Sequence, residues 1–239
     1  MANGNTFVPQ SKYSSPSLES QIILSSEQAI RVFRRCFETA GHSLFVIDVV
    51  SRALASGAKD SEYSKVDGAV SRMLSDMEEL INNETARLDA LLAANGQDHQ
   101  KPNYSKPAEF SFMISSPVIL RFAKILLAFD HMITRIDTAW LCGLLDTDRA
   151  QSLHKEKLHW FQRVVRKLQA HSTAAIKRGR QAKLDQGMLD NLQQKGETAA
   201  AQLDADDDAL AEAADLAQAQ AQGHVGASQQ QNELVAATA

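Results

Sequence analysis

The chain has 239 residues, of which 44% are hydrophobic, 23% charged and 6% aromatic. These values are ordinary for a globular protein and exclude a collagenous or wholly disordered chain. Its two cysteines, Cys36 and Cys142, stand apart in apolar surroundings, which argues against a disulfide framework or a cysteine-based zinc site and favours a reducing compartment. The N-terminus lacks the apolar run of a secretory signal, and no apolar stretch reaches about 20 residues. We therefore expect a cytoplasmic protein that makes no use of a membrane.

The net charge of −4 at pH 7 hides an uneven distribution along the chain. Residues 154–183 carry nine Lys and Arg against a single Glu, whereas residues 184–239 carry one Lys against ten Asp and Glu. A basic block followed by an acidic tail is typical of a polyanion-binding surface whose solvated tail could compete for it.

The N-terminal part of the chain predicts a disordered segment followed by helices. Residues 1–20 are rich in Ser, Asn and Pro and carry too few apolar groups to offset the entropy of ordering. Ser25-Ser26-Glu27-Gln28 has the spacing of a capping box, and the apolar residues of 29–40 recur at intervals of three and four, so we predict a helix there. After Gly41, which breaks or kinks it, residues 43–55 resume as a helix that is apolar on most sides.

A long helix and a strand are predicted next. Residues 61–94 carry an apolar stripe near the 3.5-residue period, and Asn95-Gly96 supplies a helix end. The stripe could pack against a partner chain, although antiparallel packing inside a bundle is the favoured interpretation. After a polar loop, residues 109–114 alternate apolar and polar side chains, which indicates a strand.

The remaining chain predicts two helices and a tail. Ser116-Pro117 is a helix start, residues 118–145 are heavily apolar, and Thr147 caps a further helix that runs to about residue 175. Ala, Gln and Asp dominate after Glu197, which is a low-complexity composition. The sequence thus predicts a mainly α protein with a single short strand, divided into a disordered N-terminal segment (1–20), a helical DNA-binding domain (21–183) and an acidic, Ala/Gln-rich disordered tail (184–239).

The single predicted strand needs a partner, because an isolated strand leaves two open edges. A second copy of the strand in a symmetric dimer would supply one, as in the ribbon-helix-helix arrangement, where a two-stranded ribbon enters the major groove of DNA. The Phe and Ile side chains would then face the core, and Glu109, Ser111 and Met113 would face the groove. Pairing within the same chain, with residues 5–10 or 97–105, is an equally weighted alternative.

No motif for catalysis or cofactor binding occurs in the sequence. A phosphate-binding loop, a dinucleotide-binding turn, a zinc-binding HExxH helix and a GxSxG elbow are all missing. We therefore expect that the protein is not an enzyme and that it binds no cofactor, metal ion or small-molecule substrate. Asp130, Arg135 and Asp137 lie in an apolar helix and could form a buried acid–base group, but structural ion pairs are the favoured interpretation because unpaired buried charges are costly.

The basic block carries the functional signal. Its cations flank the apolar stripe of the last predicted helix, and a DNA duplex carries one charge per roughly 1.7 Å of its axis, so phosphate contacts are expected. A solvated helix face neutralised by the acidic tail is the alternative. The predicted phosphate-binding residues are Lys155, Lys157, Arg163, Arg166, Lys167, Lys177, Arg178, Arg180 and Lys183.

Residues 112–145, with Ser116-Pro117, Leu126-Leu127, Phe129-Asp130 and Thr138-Ala139 among them, resemble the AcaB-like family of transcriptional activators of integrating conjugative elements and conjugative plasmids. The similarity extends upstream to Ile22 and downstream to residue 175. It implies a ribbon-helix-helix-type protein of a mobile element that binds double-stranded DNA as a homodimer and activates transfer genes. A non-catalytic helical scaffold or accessory protein of the conjugative element is the alternative function.

Overall fold

Helical spacing of apolar residues dominates the sequence, and helices dominate the structure. The structure is a computed structural model that describes residues 16–57 and 63–198. Its elements are β1 (Leu18–Leu24), α1 (Glu27–Val32), a π-helical segment (Phe33–Phe37), α2 (Glu38–Gly57), α3 (Tyr63–Ala94), β2 (Ala108–Ile114), α4 (Pro117–Leu141) and α5 (Thr147–Gln181). A sixth helix, α6, covers residues 186–198, where the described part ends. The mainly α prediction is confirmed.

The prediction of a single strand is wrong, because β2 has a partner in its own chain. It pairs antiparallel with β1, and Ile22 lies opposite Phe110 in the register. Residues 18–20, which the sequence had assigned to a disordered segment, are part of β1. The sequence missed β1 because its first four residues, Leu-Glu-Ser-Gln, have little β-propensity. Residues 97–105 do not pair with β2, and residues 5–10 lie outside the described residues.

Aromatic side chains hold the sheet on the helices. Phe33 of the π-helical segment stacks on Phe110 of β2 with ring centroids 4.2 Å apart. Phe37, one turn further on, meets Phe112 edge-on at 5.0 Å. The Phe side chains of β2 therefore face inward, as their alternation predicted, and pack against Phe33 and Phe37. The residues between them face outward.

A buried aromatic cluster joins α4 to α5. Phe122 and Phe129 of α4 and Phe161 of α5 are completely buried. Phe161 meets both α4 rings edge-to-face, at centroid distances of 5.7 and 5.0 Å. Such pairs add to the large apolar area that aromatic rings bury, so these rings anchor one face of α5 on α4.

The polar residues within α4 act separately as structural ties. The Asp130 carboxylate accepts hydrogen bonds from the backbone N–H groups of Ser25 (3.0 Å) and Ser26 (2.8 Å) and from the Ser26 hydroxyl (2.6 Å). Arg135 donates to Asp89 of α3 at 2.5 Å and to the backbone carbonyl of Gln100. Asp137 accepts a hydrogen bond from the Tyr104 hydroxyl, so the three polar residues serve different neighbours and form no common acid–base group. The ion-pair interpretation is confirmed for Arg135.

The predicted disordered tail begins too early, since residues 186–198 form α6. The end of α5 is closed by hydrogen bonds from Lys183 N–H to the Arg180 carbonyl and from Leu184 N–H to the Gly179 carbonyl. Leu189 of α6 is completely buried, and its Cδ2 lies 3.1 Å from where a Cβ of Gly179 would be. The described residues belong to one compact unit that ends at Ala199, and the second unit, Ala200–Ala239, lies outside them.

Candidate nucleic-acid interface

Helix α5 has one buried face and one exposed face over its 35 residues. Its buried positions recur from Ala150 to Gly179 at intervals of three and four. Because successive residues of an α-helix are about 100° apart, the remaining positions form a continuous outer stripe. That stripe carries no carboxylate between Glu156 and Asp185, so positive charge is concentrated on this side of the helix.

Eight of the nine predicted phosphate-binding residues are exposed, and we call them the basic face. Those within α5, from Lys155 to Arg180, extend over about 38 Å at 1.5 Å per residue. Such a one-sided row of cations creates a positive potential that attracts polyanions and depends on ionic strength. The basic face consists of Lys155, Arg163, Arg166, Lys167, Lys177, Arg178, Arg180 and Lys183.

Lys157 does not belong to the basic face, which corrects the sequence prediction. It is 7% exposed, and its Nζ lies 3.2 Å from Glu156 Oε1 and 3.7 Å from Glu84 Oε1 of α3. Its position on α5, among the apolar residues Leu153, Leu158 and Phe161, explains the burial. Lys157 therefore ties α5 to α3 and cannot reach a phosphate without breaking these contacts.

The C-terminal end of the basic face is shaped by α6. Asp190 Oδ1 lies 2.7 Å from Arg180 Nη2. Lys183, just beyond α5, has φ +58°, a left-handed conformation that usually favours glycine. The hydrogen bond between His42 Nε2 of α2 and the Leu192 carbonyl, 2.9 Å long, fixes α6 to the body of the protein. Asp190 of α6 therefore stays beside the basic face.

The predicted groove-reading residues share the outer face of the two-stranded sheet. Glu109 and Ser111 are exposed, and Met113 is half-buried. In the register, Glu109 lies opposite Ile23, and Met113 lies opposite Glu19. The three residues share this face, but it carries the carboxylates of Glu19 and Glu109 and no cation, an arrangement that repels phosphate. Their contact with DNA stays a prediction.

A polar cluster fixes the first half of α5 on α4. The Tyr104 hydroxyl donates to Asp137 Oδ2 at 2.5 Å. His154 Nε2 of α5 lies 3.0 Å from Asp137 Oδ1, an ion-pair distance at which hydrogen-bond geometry is not met. Burial, followed by the hydrogen bond to Asp137, raises the pKa of Tyr104 well above its usual value. Tyr104 therefore stays a neutral hydrogen-bond donor. The cluster holds the start of α5 in place, and the basic face lies further along the same helix.

The sequence prediction missed one cation of the same stripe. Arg149 is exposed near the start of α5 and lies 18 residues, or five helical turns, before Lys167 on the same side of the helix. It was overlooked because the basic block was delimited by charge density, which Asp148 and Glu156 lower locally. Helical periodicity was the signal that could have found it.

Two other kinds of feature, a metal site and a membrane span, are absent from the described residues. Among residues 16–57 and 63–198, no group of three His, Cys, Asp or Glu side chains is placed to hold a metal ion. In the same ranges, no helix has both the length and the apolar character required to cross a membrane.

Comparison with known proteins supplies a structural relative. No family model and no curated protein matches the chain. Among solved structures, AcaB from uropathogenic E. coli is similar, with a TM-score of 0.68 and 23% sequence identity, over 78% of this chain and 100% of the AcaB chain. The two proteins therefore share a fold, and the AcaB-like fold that the sequence resemblance implied is confirmed.

Proposed function

We propose that the protein is a DNA-binding transcriptional regulator, an activator, of a conjugative or integrating mobile element. The observation that supports this most directly is the basic face, a row of eight exposed cations with no carboxylate between Glu156 and Asp185. The fold shared with AcaB and the sequence resemblance to a family of mobile-element activators point to the same class of protein.

The basic face fits the sugar-phosphate backbone of a duplex. Its length of about 38 Å is close to that of about eleven base pairs, at about 3.4 Å per pair along each strand. Contacts of Lys and Arg with phosphates position a protein on DNA and supply sequence-independent affinity. The basic face would therefore hold the protein on the duplex, and base readout belongs to other residues, for which Glu109, Ser111 and Met113 stay predictions.

Formation of a homodimer stays a prediction, and one argument for it no longer applies. Pairing of two copies of β2 was expected to cover an open strand edge, and β1 of the same chain covers it. A dimer would still double the number of phosphate contacts and match a two-fold operator. Its formation would then use a surface other than the hydrogen-bonded edge between β1 and β2.

The salt dependence of duplex binding tests this function. If about five cations contact phosphates, log Kd against log salt has a slope of about 4 to 5, since each contact contributes about 0.9. Replacing Arg163, Arg166 and Lys167 together by Ala should weaken binding to every duplex sequence and lower that slope by about 2 to 3. Fluorescence anisotropy with a labelled duplex, over a series of salt concentrations, measures both quantities.

A control variant with the same charge change separates contact from net charge. Lys101, Lys106 and Lys124 are exposed and lie outside α5, so their joint replacement by Ala should leave the slope nearly unchanged. Equal slopes for both triple variants would show that the basic face does not contact the DNA phosphates. Absence of duplex binding by the wild-type protein at low salt would favour the alternative, a non-catalytic scaffold or accessory protein.

A further inference from the structure

An open groove of about 440 Å³ lies between α3 and α5, beside the basic face. α3 packs mainly on α4 and makes a much smaller contact with α5, so the two helices leave space between their outer sides. The volume is within the range of sites that hold small ligands, about 300–1,000 Å³. The groove is lined by Ala69, Arg72, Met73, Asp76, Met77 and Leu80 of α3 and by Trp160, Val164 and Lys167 of α5.

The walls of the groove combine an aromatic and apolar surface with two cations. Trp160 is partly exposed and lies against the edge of Phe161, with centroids 5.9 Å apart and planes at 89°. Met73 and Leu80, which face it from α3, are also accessible. Arg72 and Lys167 are exposed at the sides of the groove. A ligand that joins a planar ring to a negatively charged group would match both the apolar walls and the two cations.

We propose that the groove binds an unpaired nucleobase, which stacks on Trp160 while Arg72 and Lys167 contact the adjacent phosphates. Indole rings are good stacking platforms for bases of any sequence, and cations beside them hold the strand backbone. Lys167 belongs to both the groove and the basic face, so a strand that follows the basic face passes the entrance to the groove. The inference rests on the proposed nucleic-acid function and adds a single-stranded segment to the bound substrate.

This occupant fits the charges better than a second copy of the chain does. A second copy that docked through the same groove would bring Arg163 and Lys167 of two basic faces together, which is electrostatically unfavourable. A nucleotide instead brings phosphate to those cations. Asp76, the one carboxylate of the lining, can accept a hydrogen bond from an N–H group of the base, such as N3–H of thymine.

Trp160 fluorescence provides the first test. The chain has two tryptophans, so Trp140→Phe leaves Trp160 as the only one. In this variant, a single-stranded thymidine oligonucleotide should quench the fluorescence, because a stacked base contacts the indole directly. An abasic strand of the same length carries the phosphates without the bases and should not quench. Absence of quenching by the thymidine strand, or equal quenching by both strands, would overturn the proposal.

Binding by substituted proteins provides the second test. Trp160→Leu keeps an apolar side chain but removes the stacking surface, so affinity for the thymidine strand should fall about 5- to 150-fold, the range of base–aromatic stacking. Trp160→Phe should recover part of this loss. Trp140→Leu, at the other exposed tryptophan (42% exposed), is the matched control and should have no effect. Thermal melts of all three variants check that the fold is retained.

The outcome separates this inference from the proposed function. Duplex binding that survives Trp160→Leu, together with loss of thymidine-strand binding, supports both. Duplex binding without Trp160-dependent single-strand binding removes the inference and leaves the proposed function intact. Binding of the thymidine strand through Trp160 without duplex binding supports the inference and contradicts the proposed binding of double-stranded DNA.

Discussion

Removal of the Asp130 carboxylate should destabilise the protein strongly. Asp130 is 8% exposed and accepts three hydrogen bonds, from Ser25 N–H, Ser26 N–H and the Ser26 hydroxyl. In Asp130→Ala both backbone donors lose their acceptor, and the Ser26 donor is buried. An unsatisfied buried donor costs about 1–3 kcal/mol, so we expect a total loss of about 3 kcal/mol in the free energy of unfolding.

Thermal and denaturant unfolding measure this loss. For a domain of this size, a loss of about 3 kcal/mol lowers Tm by about 6–12 °C. Asp76→Ala is the matched control, because it makes the same substitution at an exposed position inside α3 and changes helix propensity equally. Asp130→Asn keeps one acceptor oxygen and should lie between the wild type and Asp130→Ala. A loss for Asp130→Ala within about 1 kcal/mol of the control would refute the argument from buried donors.

Two further predictions concern the junction between α5 and α6. Burial, with a smaller contribution from the Lys195 charge, lowers the pKa of His42 below its ordinary value of 6.5, so the unfolded chain binds the proton first and stability should fall as the pH drops below that value. His42→Gln keeps a donor for the Leu192 carbonyl without titrating there, and thermal melts over a pH series should show a weaker dependence. Lys183→Gly relieves the left-handed backbone at φ +58° and should raise stability by about 0.5–1 kcal/mol. The same variant removes one cation of the basic face, so the slope of log Kd against log salt for a duplex should fall by up to about 0.9, and a higher Tm with an unchanged slope would exclude Lys183 from the interface.

The helices were predictable because their pattern is local. The capping sequence before α1 is used as expected, since the Ser26 hydroxyl accepts from Ala29 N–H. Gly41, in contrast, was expected to break or kink the first helix, and the helix continues through it. The irregular part lies earlier, in the π-helical segment Phe33–Phe37. Its first residue, Phe33, stacks on Phe110, which lies in a strand 77 positions away, and no local pattern contains this contact.

The candidate interface was largely predictable in the same way. The exposed cations of α5 follow from the spacing of its apolar residues, because 3.6 residues per turn separates the two faces. Lys157 was misplaced because the basic block was delimited by charge density, although the same spacing assigns position 157 to the buried face of α5. Only its ion pair with Glu84 depends on another helix. The groove of Trp160 was missed altogether, since it exists only where α3 and α5 lie side by side.

The sequence by itself determined the number and approximate limits of the long helices, the strand β2 and the basic face of α5. All of these depend on residues within a few turns of one another. The tertiary structure alone decided that β1 pairs with β2, that Asp130 holds the start of α1 across 104 positions, and that α6 docks on His42 across 150 positions. The physical reason is that a contact between distant segments depends on complementary shape, charge and hydrogen bonding of two surfaces, and periodicity within one segment describes only one of them.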